Sequence, residues 1–193
     1  LGRFMESYLI SLVKKAEVHP SCHGGEDYWS ARIGLKEHMP ISVVLSFDMQ
    51  DASQNISAGL VFDFFYDLLN GQFESYEERR DIAGFFTMIC TVKYDTGRGL
   101  PQGSHLCMPL FNRIMYPTDQ ELHERASERN MRFSRWVDDF TISSENHCKP
   151  EEFLGAVEVV MRRFPIARKK IFFQDKEPIY LLGHKIVNGR ILK

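Results

Sequence analysis

The sequence predicts an α+β domain of split βαββαβ plan, an antiparallel sheet with helices on one face. Three observations carry that expectation. Ile41, Val43, Val44, Leu45 and Phe47 make a nearly continuous apolar, β-branched run, the composition of a strand buried in the centre of a sheet. Residues 133 to 143 read as strand, two-residue turn and strand, with Asp138 and Asp139 together at the tip. Around these segments helical periodicity alternates with strand-like stretches in the order strand, helix, strand, strand, helix, strand.

At 193 residues the chain has the size of one domain, and its 44% hydrophobic and 12% aromatic content argues for a packed core rather than disorder. No stretch approaches the roughly 18 uninterrupted apolar residues of a membrane span, and no signal-peptide pattern opens the chain. The expectation is a cytoplasmic protein with no membrane association. Cys22, Cys90, Cys107 and Cys148 are too scattered for a disulfide framework and read as thiols. A net charge of -2 does not announce a nucleic-acid binder. Locally, Arg162, Arg163, Arg168, Lys169 and Lys170 form a basic stripe that can face phosphates, and a solvated helix end explains the stripe equally well.

Residues 1–40 form an N-terminal segment and residues 41–193 the main domain. The segment begins with a helical pattern, Phe4, Tyr8, Leu9, Leu12 and Val13, followed by His19-Pro20 and a loop at 21–25. His19, Cys22 and His23 lie close together, but no second ligand pair stands at zinc-finger spacing, so they read as polar loop residues. Arg32 and Lys36 precede the first strand at a place from which a basic side chain can reach a triphosphate, and each is more simply an exposed cation. Asp48 follows the strand directly. Ser57 caps a helix with Leu60, Val61, Phe64, Phe65, Leu68 and Leu69 on one face and Gly71 just past its end. A second helix spans roughly 77 to 92, a Gly-rich turn covers 97–103, and Thr118 caps a polar helix reaching about residue 130. Pro150, Glu151 and Glu152 open another helix. Residues 166–173 read as a strand, and Asn188-Gly189 joins the last two strands in a tight hairpin.

Two neighbouring carboxylates repel each other unless a cation lies between them, and hard divalent cations take oxygen ligands while leaving positions for substrate phosphates. An acidic hairpin tip therefore suggests a metal site for phosphoryl chemistry, although Asp-Asp is also an ordinary turn sequence. In the βαββαβ plan the first strand lies beside the central hairpin, so Asp48 can meet Asp138 and Asp139. Three carboxylates on adjacent strand ends suit two divalent ions.

Phe47-Asp48-Met49-Gln50-Asp51-Ala52, then Leu100-Pro101-Gln102-Gly103 with Asn112 beyond it, Trp136-Val137-Asp138-Asp139, Lys169-Lys170, and Tyr180-Leu181-Leu182-Gly183-His184 resemble in order the palm motifs of reverse transcriptases. The bacterial branch, with its group II intron, retron and defence-associated enzymes, is the most similar. The resemblance covers residues 41–193 and implies a polymerase palm with remnants of fingers and no thumb. It also implies two Mg²⁺ ions, replaceable by Mn²⁺, held by Asp48, Asp138, Asp139 and the backbone carbonyl of Met49. Lys169 or Lys170 matches a lysine that protonates the pyrophosphate leaving group. Asp51, Ala52, Ser53, Gln102 and Gly103 match the nucleotide side, while Trp136, Tyr180, Leu182, Gly183 and His184 match the primer and template side; Arg32 and Lys36 lie outside the resemblance and are nucleotide-side candidates from their position alone. The partners implied are an RNA template, a DNA or RNA primer, nucleoside triphosphates, and further subunits or segments that supply fingers and thumb.

The chain departs from the family pattern at several positions. Trp136-Val137 stands where Tyr-Ala is usual, Cys107-Met108 where Ser-Pro is usual, and Ser53 where a Tyr or Phe commonly excludes a ribose 2′-hydroxyl. Weak discrimination between deoxy- and ribonucleotides is the expectation from Ser53, unless Gln54 or Asn55 fills the gap. Two other functions share parts of this pattern: a reverse-transcriptase-like scaffold that binds RNA or protein without catalysis, and a palm-fold nucleotide cyclase. Gly24-Gly25-Glu26-Asp27 resembles a cyclase signature but precedes the first core strand, and the Leu-Pro-Gln-Gly turn has no role in cyclase chemistry.

Overall fold

A computed structural model describes residues 3–24 and 30–192, with the backbone alone at residues 30–32. In chain order the elements are α1 (Arg3–Val13), α2 (Ser30–Glu37), β1 (Val43–Asp48), α3 (Ala52–Asn55), α4 (Ala58–Leu68), α5 (Tyr76–Cys90), β2 (Val92–Tyr94) and β3 (Gly97–Gly99). They continue with α6 (Cys107–Ile114), α7 (Tyr116–Ser127), β4 (Arg132–Trp136), β5 (Asp139–Ser144), α8 (Leu154–Met161), β6 (Phe172–Gln174), β7 (Ile179–Leu181), β8 (His184–Val187) and β9 (Arg190–Leu192). Two compact units result, one of residues 1–18 with 51–116 and one of residues 19–50 with 117–193. The N-terminal segment expected at 1–40 contributes to both.

The first unit is helical apart from the β2–β3 hairpin. Ser57 accepts a hydrogen bond from Leu60 N at 3.3 Å and Ser75 one from Glu78 N at 3.3 Å, so both long helices start at serine caps. Phe65 and Phe86 pack at 5.3 Å between ring centroids, which joins α4 to α5. The helix expected to reach residue 92 ends at Cys90, because Val92 is taken into a strand.

The second unit carries a four-stranded sheet of order β4-β5-β1-β6, antiparallel at every pairing. Alternation along β1 sorts its side chains. Phe47 stacks on its cross-strand partner Phe140 at 5.0 Å, and Phe133 lies 6.4 Å from Phe140. On this face Phe153, just before α8, meets Phe173 of β6 edge-on at 5.7 Å, and Asp119 of α7 reaches Arg135 of β4. Val44, Ser46 and Asp48 point the other way. There Leu35 of α2 packs with Val44, Ile179, Leu181 and Ile186, so α2 lies on the face opposite the one that α7 reaches.

Several boundaries differ from the sequence reading. Trp136 pairs with Asp139, so the hairpin turn is Val137-Asp138, and Asp139 is the first residue of β5 rather than a second tip residue. Thr118 lies inside α7 and accepts a hydrogen bond from Arg163 at 2.9 Å; the helix begins two residues earlier because Pro117 fits a first turn, where no N–H is needed. The strand expected at 166–173 shortens to 172–174, since Arg168–Lys170 form a 3-10 turn. Asn188 and Gly189 do form a tight turn, with φ of 49° and 66°, and Leu182-Gly183 forms another, with φ of 48° and 74°.

His38, fully buried, joins β4 to β5. Its Nδ1 lies 2.6 Å from Ser143 Oγ and its Nε2 2.7 Å from Ser134 Oγ, so a neutral imidazole donates to one hydroxyl and accepts from the other. Burial, with smaller contributions from His23 and Arg132, lowers its pKa to about 4. The unfolded chain takes up this proton first, near pH 6.5. The contribution to stability is therefore complete above that pH and is lost as pH falls toward 4, by about 3 kcal/mol. The urea midpoint of the unaltered chain should fall more between pH 7 and pH 4.5 than that of His38→Gln, and equal slopes would contradict this. Phe47→Ala should cost about 3–5 kcal/mol in urea unfolding through the cavity it leaves against Phe140.

Candidate active site

β1 and β5 run antiparallel in a register that pairs Val43 with Ser144, Leu45 with Ile142, Phe47 with Phe140 and Asp48 with Asp139. The apolar pairs fix the register, because a slip of one residue would turn Leu45 and Phe47 out of the core. The last pair of the ladder thus consists of two carboxylates on the same face. Beyond it, Met49 N donates to Asp138 O at 3.1 Å, which carries the pairing into the turn.

The Asp48 and Asp139 side chains share a hydrogen bond, so one of them holds a proton. Burial, the bond to Asp48 and the charges of Asp48 and Asp138 push Asp139 up to about 8. Burial works against ionisation of Asp48 too, but the bond from Asp139 and the ammonium of Lys170 outweigh it and hold Asp48 below the usual carboxylate range. Asp138 is raised by burial and by the charge of Asp48. Lys170 donates directly to Asp48 Oδ2 and is raised by that contact.

These groups open onto a cavity of about 680 Å³ lined by Ser46, Asp48, Asp139, Thr141, Lys170 and Tyr180, among others. The alternation of β1 explains the membership, since Ser46 pairs with Thr141 as Asp48 pairs with Asp139. Gln174 of β6 clips the β7–β8 hairpin to the sheet by donating to Tyr180 O at 2.7 Å and accepting from Tyr180 N at 2.8 Å. Tyr180 is exposed beside the cavity, Leu182 lines it, and His184 Nδ1 donates to Leu182 O at 2.9 Å across the Leu182-Gly183 turn. Trp136 is half-buried at the hairpin base, and Lys36 and Lys169 are exposed. Asp138 sits at the turn and is not among the cavity-lining residues. Among the described residues no three His, Cys, Asp or Glu side chains form a ready-made metal site. His23 pairs with Glu37 at 2.7 Å. The side chain of Arg32 and residues 25–27 of the Gly-Gly-Glu-Asp run lie outside the described residues.

Of the nucleotide-side residues, Asp51, Ala52, Ser53, Gln102 and Gly103 belong to the first unit and Arg32 and Lys36 to the second. Asp51 adopts φ 45° before the short helix α3, which holds Ala52 and Ser53. Leu100 N donates to Ser53 O at 2.9 Å, and a β-carbon on Gly99 would lie 2.4 Å from Gln54 O, so this turn and the Leu-Pro-Gln-Gly turn are built against each other. Ser53 Oγ lies 3.6 Å from Cys107 Sγ. Gln102 and Gly103 are exposed, with Gly103 at φ 85°.

The basic stripe is divided. Arg162 and Arg163 pair with Glu121 at 3.8 and 3.1 Å, while Lys170 alone of the stripe lines the cavity. Two residues that the sequence reading passed over, Arg135 and Asp119, form a fully buried ion pair at 2.6 Å beneath the acidic hairpin. A single arginine inside the strand-like run Phe133-Ser134-Arg135-Trp136-Val137 was the available signal.

Residues 69–186 match the family described as reverse transcriptase (RNA-dependent DNA polymerase), more than half of the chain. The matched stretch contains the Leu-Pro-Gln-Gly turn, the acidic hairpin and Lys170 but not Asp48. The retron Ec86 reverse transcriptase of Escherichia coli is 27% identical over 152 residues, which cover 77% of this chain and 44% of that enzyme. Apo telomerase from Candida tropicalis superposes with a TM-score of 0.62 at 14% identity, over 99% of this chain and 40% of that one. Telomerase from Candida albicans, in complex with a fragment of telomeric RNA, gives a TM-score of 0.55 at 15% identity, over 97% of this chain and 37% of that one. The chain thus spans less than half the length of these relatives, and the telomerase likeness is one of fold. Among the described residues no helix is long and apolar enough to cross a membrane. On the family match, which takes in the acidic hairpin and most of the sheet's later strands, the chain belongs to the reverse transcriptase family.

Proposed function

We propose that the second unit is the catalytic palm of an RNA-directed DNA polymerase, its β4-β5-β1-β6 sheet following the βαββαβ plan. The observation that carries this reading is the cross-strand pair Asp48–Asp139 at the end of the central ladder. Two adjacent carboxylates, one pushed up to about 8 by burial and by the other's charge, form a crowded oxygen cluster that a divalent cation would neutralise. All-oxygen donors suit Mg²⁺, with Mn²⁺ as a substitute. Asp48 and Asp139 would hold the ions together with Asp138, whose carboxylate is one residue from Asp139, and with the Met49 carbonyl. When bound, two Mg²⁺ ions lower the pKa of a primer 3′-hydroxyl and neutralise the triphosphate.

The chain's own groups supply the rest. Lys170 faces the same cavity as the acids, where its ammonium is placed to give a proton to departing pyrophosphate. Tyr180 and Leu182, held to the sheet through Gln174, offer an apolar edge for a primer end. The retron enzyme's name and the RNA in the Candida albicans telomerase complex support an RNA template. The family resemblance gives Asp51 to Ser53, Gln102 and Gly103 of the first unit a role in nucleotide binding, and Ser53 is too small to exclude a 2′-hydroxyl.

Asp48→Asn and Asp139→Asn should each lower templated primer extension by about a thousandfold or more, on the order of 4 kcal/mol of barrier, with unchanged circular dichroism. Activity that survives both changes would remove these carboxylates from the mechanism. Nucleic-acid binding indifferent to Mg²⁺, without extension of any primer, would favour the non-catalytic scaffold. In single-nucleotide incorporation, Ser53 leads to a deoxynucleotide preference below about a thousandfold, and Ser53→Phe should raise it. A larger preference in the unaltered protein would contradict this.

A further inference from the structure

The turn that presents the two adjacent acids is made by a residue unsuited to it. Val137 has φ 58°, while Asp138 is not among the residues with positive φ. A positive φ at the first of two hairpin-turn residues is a glycine position, and a β-branched side chain there is an outlier that persists only when its surroundings over-determine it.

The surroundings converge on Arg135. Its backbone is tied on the outer side of β4, where Arg135 N donates to Ser21 O at 2.8 Å and Arg135 O accepts from His23 N at 2.9 Å. Its side chain is fully buried and grips Asp119 of α7 in a bidentate pair, Nε to Oδ1 at 2.7 Å and Nη2 to Oδ2 at 2.6 Å. The remaining arm, Nη1, donates to Val137 O at 2.5 Å. From the other side the chain at Gly24 closes on the turn so tightly that a β-carbon there would lie 2.6 Å from Val137 N. The carbonyl of Val137 is therefore held by Arg135, and the chain at Gly24 packs against its amide.

We propose that the buried Asp119–Arg135 pair is a positioning device for the acidic hairpin, which holds Val137 left-handed so that Asp138 and Asp139 meet the end of β1. This rests on the metal-site reading above and adds to it residues that touch neither metal nor substrate. An ion pair whose only role was stability would be at least matched by apolar packing, because burying two charges is costly. A fork that orients one strained carbonyl has a use that apolar packing lacks.

The test reads Mn²⁺ affinity by electron paramagnetic resonance of the free ion, alongside the urea midpoint. Asp119→Asn should weaken Mn²⁺ binding by about tenfold to a hundredfold in the folded protein. Adding Val137→Gly, which removes the cost of the left-handed turn, should restore the affinity to near its original value even though the ion pair stays broken. Gly24→Ala leaves the ion pair intact and presses on Val137 N; it should weaken Mn²⁺ binding by a similar factor and decides the matter should Asp119→Asn fail to fold. Wild-type affinity in Gly24→Ala and in folded Asp119→Asn, with loss in Asp139→Asn, would overturn the brace and leave the metal site standing. Failure of Val137→Gly to restore binding would also overturn it. No saturable Mn²⁺ binding by the unaltered protein would overturn the metal site and the brace with it.

Discussion

The pairing of β1 with β5 is the constraint on which the site depends. Six consecutive residue pairs, from Val43 with Ser144 to Asp48 with Asp139, share one register. The stacked rings of Phe47 and Phe140 lie immediately before the acids, so the best-packed pair of the ladder is adjacent to its least favourable one. Apolar burial on one face thus holds two carboxylates together on the other, where their own repulsion would separate them.

The electrostatics of the site follow from that forced contact. Asp48 is kept ionised by Lys170, and Asp139 keeps a proton into the neutral range. A divalent cation would replace both compensations, freeing Lys170 for a phosphate and releasing the proton from Asp139. The lysine sits on a 3-10 turn rather than in a strand, and this turn brings its ammonium back to the end of β1.

Much of this was legible in the chain. The β-branched run at 41–47 is a central strand because nothing polar interrupts it except Ser42 and Ser46, and Asn188-Gly189 is a turn because both residues tolerate positive φ. The order of acidic and Gly-rich motifs pointed to the family. The turn at Val137-Asp138 was not legible, since local preference favours Asp-Asp at the tip, whereas the turn is contacted by the Arg135 side chain two residues before it, whose partner Asp119 is distant in sequence, and by Gly24, which is more distant still. Ile166, Ile171, Phe172 and Phe173 imitate a continuous strand, but the ladder with β1 takes in Phe172–Gln174, while Ile166 makes an isolated bridge to Met49 and Ala167 N donates to Asp48 O at 2.9 Å. The role of His38 was equally hidden, for a histidine before a strand carries no sign that two serines will meet it in the core.

The most direct test is an anomalous-scattering map from crystals grown with Mn²⁺ and a nucleoside triphosphate. The account predicts manganese between the carboxylates of Asp48 and Asp139, at coordination distances of about 2.1 Å, with Lys170 displaced from Asp48 toward the phosphates. A map with no metal at this pair, and with Lys170 still bound to Asp48, would contradict it.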